Sequence, residues 1–108
     1  MPDKIQAARD AVQALNRAIE ILVAKSAGLL SEAERDEIDD AVPILKSKRD
    51  RLQAAINAND PSQLKAPTDG QVASITQVLQ QLDNATAANL TVSAIVDGVT
   101  AAANVLLT

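Results

Sequence analysis

Three clusters of ionisable or nucleophilic side chains are the candidates for chemistry in this sequence. Ser62 and Lys65 have the S-x-x-K spacing of a serine nucleophile and its lysine in acyl-transfer enzymes. An acidic run could hold a hard cation, and a basic cluster could bind a polyanion. The acidic run consists of Glu32, Glu34, Asp36, Glu37, Asp39 and Asp40. The basic cluster consists of Lys46, Lys48, Arg49 and Arg51.

Each cluster lacks the companions that its chemistry requires. The Ser62–Lys65 pair lies in a proline-flanked linker without companion motifs, so we interpret it as coincidence. The acidic run lacks the glycine and spaced oxygen ligands of a calcium loop, which favours a solvated helix start. The basic cluster has no aromatic residues for base stacking. It indicates a solvated face, or a face that pairs with an acidic turn of another copy.

The residue types that are missing exclude most enzymatic chemistry. The sequence contains no His, Cys, Trp, Tyr or Phe. The usual general base near neutral pH, a thiolate nucleophile and the nitrogen and sulfur ligands of zinc are therefore missing. We expect no enzyme activity, no catalytic residue, no cofactor, no metal site and no small-molecule substrate.

The distribution of charge divides the sequence into two parts. The net charge of −4 argues against nucleic acid as a partner. All Lys and Arg residues precede residue 66, whereas the segment after it carries only Asp69, Asp83 and Asp97. The N-terminus lacks an apolar stretch like that of a signal peptide, and no apolar run approaches the ~18 residues of a membrane span. We therefore expect a cytoplasmic protein.

The first element that could position these clusters is a helix over residues 3–27. Apolar residues recur every three and four positions in a coiled-coil-like seam. The seam consists of Ile5, Ala8, Val12, Leu15, Ile19, Leu22, Ser26 and Leu29. Gly28 then predicts a left-handed residue after the helix end, with Leu29 covering the last turn.

A second helix is predicted from Glu32 to Ala58. Ser31 and Glu34 have the spacing of a capping box at its start. Its seam consists of Ile38, Val42, Leu45, Leu52 and Ile56, with the aliphatic stem of Arg49 in one position. Pro43 removes a backbone donor and predicts a kink or a full break of the helix; the kink is favoured, because the apolar period continues in phase on both sides. The short connection makes residues 3–58 an antiparallel helical hairpin.

Residues 59–68 form a predicted linker, and residues 69–107 form a low-charge helix or helix pair. Thr68 and Gln71 suit a second capping box. The apolar register slips through Ala85 and Ala88, which allows a break near Asn89. The absence of Gly and Pro between residues 71 and 96 favours one continuous helix. A β-hairpin at Asp97–Gly98 is the less favoured alternative.

These elements predict an all-α fold within one domain, residues 1–108. It is an antiparallel helical bundle of three long helices, of which the third is either continuous or broken near Asn89 into a fourth. A continuous third helix of about 58 Å would extend beyond the hairpin helices of about 40 Å. Its overhang would expose an apolar stripe, and such stripes usually mark interfaces. The stripe consists of Val92, Ile95, Val99, Ala102 and Leu106.

The function expected from the sequence is a non-enzymatic interaction or assembly module that acts by helix–helix packing. Its partner would be a second copy of the chain, in a homo-oligomer, or a helix of another protein. A break near Asn89 would let the fourth helix bury the stripe and would weaken the need for a partner. The alternative is a membrane-active pore or lysis protein that inserts its low-charge C-terminal half. Asp83 and Asp97 argue against insertion, because charged groups in hydrocarbon are costly.

Overall fold

Four α-helices make up most of the chain that the structure describes. In this computed structural model, residues 3–28, 31–84 and 89–107 are described. The helices are α1 (Lys4–Ser26), α2 (Glu32–Ala58), α3 (Asp69–Asp83) and α4 (Val92–Leu106), and a 3₁₀ turn at Pro61–Gln63 lies between α2 and α3. No strand occurs among the described residues. The expectation of an all-α helical bundle is confirmed.

Side-chain caps set the start of every described α-helix. Asp3, Ser31, Thr68 and Thr91 have extended backbone angles, and each side chain accepts a hydrogen bond from a backbone N–H in the first turn. At α3 the predicted capping box is present, because the Gln71 side chain also accepts the Thr68 N–H at 2.9 Å. These caps satisfy donors that the helix itself leaves without partners.

The end of α1 at Gly28 differs from the left-handed helix end that the sequence predicts. No glycine has a positive φ in the described chain, so the predicted left-handed Gly28 is wrong. The Ala27 and Gly28 N–H groups instead bond the carbonyls three residues earlier, at 3.3 and 3.0 Å, which tightens the last turn of α1. The predicted Leu29 contact lies outside the described residues. The left-handed end occurs at Asn59, with φ of 49°. The Asp60 N–H bonds the Ala55 carbonyl there at 3.1 Å, as in a Schellman motif.

Consecutive helices run in opposite directions, and α1 packs against the other three. Cross-helix hydrogen bonds from Arg49 to Asn16 and from Arg17 to the Leu82 carbonyl fix α2 and α3 beside α1. Bonds at both ends of α4, described below, place it alongside α2 in the same direction. The linker and the end of α4 meet where the Lys65 N–H bonds the Leu106 carbonyl at 2.8 Å.

The core is built from aliphatic residues of all four helices. On α1 five of the buried residues are alanine, and these small side chains let three neighbouring helices approach one axis. The largest fully buried side chains come from all four helices: Leu15, Leu22, Leu45, Leu52, Ile75, Leu82, Ile95, Leu106 and Val99. No polar or charged residue is buried in the described part of the chain.

The low-charge segment forms two helices rather than one. α3 ends at Asp83, and α4 begins after Thr91, whose side-chain oxygen accepts the Ala94 N–H at 3.1 Å. The favoured continuous helix is therefore wrong, and the break near Asn89 is observed; the register slip at Ala85 and Ala88 lies outside the described residues. Because α4 folds back, its predicted stripe of Val92, Ile95, Val99, Ala102 and Leu106 is buried, with at most 5% exposure.

Two further expectations concern the interiors of helices. α2 continues without interruption through Pro43, because Pro43 and Asp39 both lie at the exposed surface. The Asp39 carbonyl, which the proline leaves without an N–H partner, can therefore be hydrated there. Asp97 and Gly98 lie inside α4, so the β-hairpin alternative is wrong.

Candidate functional site

The hydroxyl of the Ser62–Lys65 pair is hydrogen-bonded within the 3₁₀ turn. The Ser62 hydroxyl donates to Asp60 Oδ1 at 2.5 Å, where both residues belong to the cap of the 3₁₀ turn. The hydrogen bond from the Ser62 hydroxyl, followed by those from the Gln63 amide and the Ser62 N–H, lowers the pKa of Asp60 from its ordinary value. A carboxylate with a lowered pKa is a weak base. The Ser62 hydroxyl therefore stabilises the turn by its hydrogen bond to this weakly basic carboxylate.

The acidic run spreads around the first turns of α2. Ser31 Oγ accepts the Glu34 N–H at 3.2 Å and donates to Glu34 Oε1 at 3.1 Å, so Glu34 belongs to the cap. Within residues 3–28, 31–84 and 89–107, no three acidic side chains come together as metal ligands. Part of the run, however, faces α4.

The basic cluster is likewise distributed around α2. Lys48 Nζ donates to Asn104 Oδ1 of α4 at 2.8 Å. Arg49 is half-buried, as its predicted seam position requires, and its guanidinium contacts Asp50 at 3.1 Å and Asn16 at 3.3 Å. Lys46 and Arg51 are exposed. The four cationic groups therefore do not form one continuous patch.

The predicted interface stripe on α4 faces the interior. Its five residues belong to the same core cluster as Leu15 and Leu45. A partner could reach them only if α4 separated from the bundle. The exposure on which that interface hypothesis depended is therefore absent, so binding by the folded bundle requires a different surface.

An exposed isoleucine marks that different surface. Among the described residues, Ile44 and Val23 are the large apolar side chains with more than half of their surface exposed, at 55% and 52%. Val23 lies near the end of α1, whereas Ile44 lies halfway along α2. Ile44 also lines a groove of about 680 Å³ between α2 and α4. A concave surface that combines apolar side chains with a few charged groups is the usual form of a binding site, whereas a single exposed apolar side chain such as Val23 is common on protein surfaces.

The groove combines an apolar surface with a negative rim. Its apolar lining residues are Ala33, Ala41, Ile44, Leu45 and Val96. Its charged lining residues are Asp36, Glu37, Asp40 and Asp97, and Thr100 completes the lining. None of these residues is basic, so the field in the groove attracts cations.

Two side-chain hydrogen bonds join α2 and α4 along the groove. Ser93 Oγ donates to Glu37 Oε1 at 2.8 Å, and the Lys48–Asn104 bond lies further along the same helices. Both pairs are exposed, so each contributes little to stability. They nevertheless hold the two helices in register on either side of Ile44.

The sequence contained one signal for this groove. Ile44 lies next to Leu45 but outside the predicted apolar seam of helix 2. An apolar side chain out of register on an otherwise charged helix is a candidate contact residue. Its neighbour α4 could not be identified from the sequence, because that packing depends on the break after α3.

Comparison of the chain with protein-family models, with curated proteins and with solved structures gives no match. None of the described helices combines the length and hydropathy needed to cross a membrane.

Proposed function

We propose that this chain is a non-enzymatic interaction module that binds a basic amphipathic helix in the groove between α2 and α4. The observation that carries the proposal is Ile44, more than half exposed in a groove with four carboxylates and no base among its lining residues. A docked helix would cover Ile44 with apolar side chains and place Lys or Arg beside the carboxylates. This is a helix-in-groove mode of recognition.

The binding surface for this function differs from the helix face expected on sequence grounds. Helix–helix packing remains the mechanism, in the manner of a coiled-coil contact, but α2 and the outer side of α4 provide the surface. The acidic rim favours a cationic helix through charge complementarity, which increases the association rate and rejects acidic partners. Cytoplasmic location and the lack of nucleic-acid binding stay predictions.

The membrane-active alternative has less support from the described residues. The apolar side chains of α4 that would enter hydrocarbon already pack in the core, so insertion would require the bundle to open. Its direct test is leakage of a dye from vesicles of mixed neutral and anionic lipid. Leakage that depends on Ile95 would favour this alternative over the groove.

A matched pair of synthetic peptides tests the proposed function. Each peptide has about 18 residues, long enough to become helical, and the same leucine stripe. Lys flanks the stripe in one peptide and Glu flanks it in the other. Calorimetric titration at low protein concentration should show binding of the Lys peptide alone. Its affinity should fall with added salt, because exposed charges are screened.

Two variants provide the controls for this titration. Ile44→Asp removes the apolar side chain that the leucine stripe would cover and buries a carboxylate against that stripe. This cost exceeds the added attraction for Lys, so binding of the Lys peptide should weaken about tenfold or more. Val23→Asp introduces the same change at a similarly exposed residue of α1 and should leave the affinity unchanged. Equal binding of the two peptides, or equal loss in both variants, would contradict the proposal.

A further inference from the structure

The charges on α2 divide it into two halves of opposite sign around Ile44. Residues 32–40 contain six carboxylates and one base, Arg35, whereas residues 46–51 contain four bases and one carboxylate, Asp50. α2 runs from Glu32 to Ala58, so Ile44 lies close to its middle. A helix with this distribution is complementary to an antiparallel copy of itself, because reversal of direction places each acidic half beside a basic half.

The spacing of the charges supports the same pairing in more detail. Asp40 and Glu37 precede Ile44 by four and seven residues, and Lys48 and Arg51 follow it by the same intervals. Intervals of four and seven keep residues on one side of a helix. Ile44 therefore lies at the centre of a stripe that is acidic at one end and basic at the other.

Asp40 and Arg51 are exposed on this stripe, while Glu37 and Lys48 are partly exposed on its α4 side. In a two-fold antiparallel pair of α2 helices, the line of contact runs through Ile44 along each helix. Side chains that lie on the same side of this line in the two copies meet each other. Glu37 would thus face the partner's Lys48, and Asp40 would face the partner's Arg51. The two copies of Ile44 would meet on the symmetry axis, where each covers the other's exposed apolar surface.

We propose that the occupant of the groove is the basic half of α2 from a second copy of this chain, in a two-fold symmetric dimer. This inference rests on the proposed function, because it uses the same groove and names its partner. A closed two-fold contact uses one surface twice and leaves no unpaired acidic groove for further copies. Within residues 46–51, Lys48 and Arg51 lie on the stripe and supply the positive charges that the acidic rim selects.

Sedimentation equilibrium over a concentration series tests the dimer directly. The wild-type chain should pass from monomer to dimer as its concentration rises, and the transition should move to higher concentration with added salt. Asp40→Arg and Arg51→Asp each create a like-charge contact twice per dimer. Each should raise the dissociation constant about tenfold or more.

The double variant that exchanges these two residues is the decisive comparison. Asp40→Arg with Arg51→Asp keeps the net charge and restores opposite charges across the interface, so its dissociation constant should return close to that of the wild type. Asp39→Arg and Lys46→Asp are matched controls, because they change the net charge equally at exposed residues that point away from the stripe. Asp39→Arg should raise the dissociation constant less than Asp40→Arg does, and Lys46→Asp less than Arg51→Asp does.

The outcomes separate this inference from the proposed function. A wild-type chain that stays monomeric at all concentrations but binds the Lys peptide would overturn the dimer and leave the groove function intact. A dimer that is insensitive to Ile44→Asp, together with no binding of the Lys peptide, would overturn both. An exchange variant that dimerises no better than the single variants would also overturn the α2 pairing. Circular dichroism spectra equal to that of the wild type ensure that the variants compared are folded.

Discussion

Replacement of Ile95 by alanine measures whether α4 is folded back into the bundle. Ile95 is 1% exposed and packs in the same core cluster as Leu15 and Leu45. The substitution removes three buried carbon atoms and leaves a cavity that a well-packed core closes only in part. The same substitution at Ile44, which is 55% exposed, is the matched control.

The expected magnitudes differ strongly between the two positions. Buried Ile→Ala substitutions cost about 2–5 kcal/mol, and the nearly complete burial of Ile95 places it at about 3–4 kcal/mol. Ile44→Ala should change the free energy of unfolding by less than about 0.5 kcal/mol, because little burial is lost and alanine favours the helix. A domain of this size has about 5–15 kcal/mol in total, so Ile95→Ala removes a large fraction of it.

Urea denaturation followed by circular dichroism is the suitable assay, because the chain has no aromatic residue for fluorescence. The urea midpoint should fall markedly for Ile95→Ala and stay nearly constant for Ile44→Ala, with similar slopes for both. The wild type and both variants are compared at concentrations at which each is monomeric, because dimerisation also stabilises the fold. Equal small effects at both positions would refute the folded-back α4 and restore the exposed-stripe hypothesis.

Three further predictions concern local features. Ser31→Ala should lower the free energy of unfolding by about 1 kcal/mol in urea titrations, since it removes the cap of α2; a change below a few tenths would show that the cap is dispensable. Gly98→Ala should raise the free energy of unfolding by about 0.5–1 kcal/mol and therefore raise the thermal midpoint. Gly98 is helical, and a Cβ there would lie 4.0 Å from the Val78 methyl groups, which is ordinary contact. A lower midpoint in the variant would contradict this expectation. In NMR titrations the pKa of Asp60 should lie below its ordinary value and rise towards it in Ser62→Ala. Because the pKa of Asp60 is lower in the folded state, its hydrogen bonds stabilise the fold at pH values above the unfolded-state pKa of about 3.9. This contribution is lost as the pH falls through the folded-state pKa. An unchanged Asp60 pKa in Ser62→Ala would contradict this cause.

The features that could be predicted from the sequence are local ones. The starts of α2 and α3 follow from Ser31 and Thr68, since a cap needs only a side-chain oxygen and a nearby N–H. The apolar period then identified the helix faces that enter the core. α2 was predicted with its observed bounds, Glu32–Ala58, because both its start and its end have strong signals in the adjacent residues.

The features that escaped prediction depend on tertiary packing. Thr91 starts α4 without a glycine or proline before it, so the break was not the favoured alternative, although the cap residue is present. The exposure of the α4 stripe depended on that break and changed with it. Gly28 did not need its left-handed freedom, because tight hydrogen bonds end α1 instead. The groove beside Ile44 forms only because α4 returns along α2.

The position at which a basic helix binds is the most direct test of the docking groove. Amide chemical shifts of the isotope-labelled chain locate the contact residue by residue during titration with the Lys-flanked peptide, at a concentration at which the chain alone is monomeric. We predict that the largest changes fall on both sides of the groove, at Ala41 and Ile44 of α2 and at Val96 and Thr100 of α4. Chemical-shift changes confined to the α1 surface around Val23 would contradict the assignment of the groove as the binding site. So would the absence of changes at a large excess of peptide.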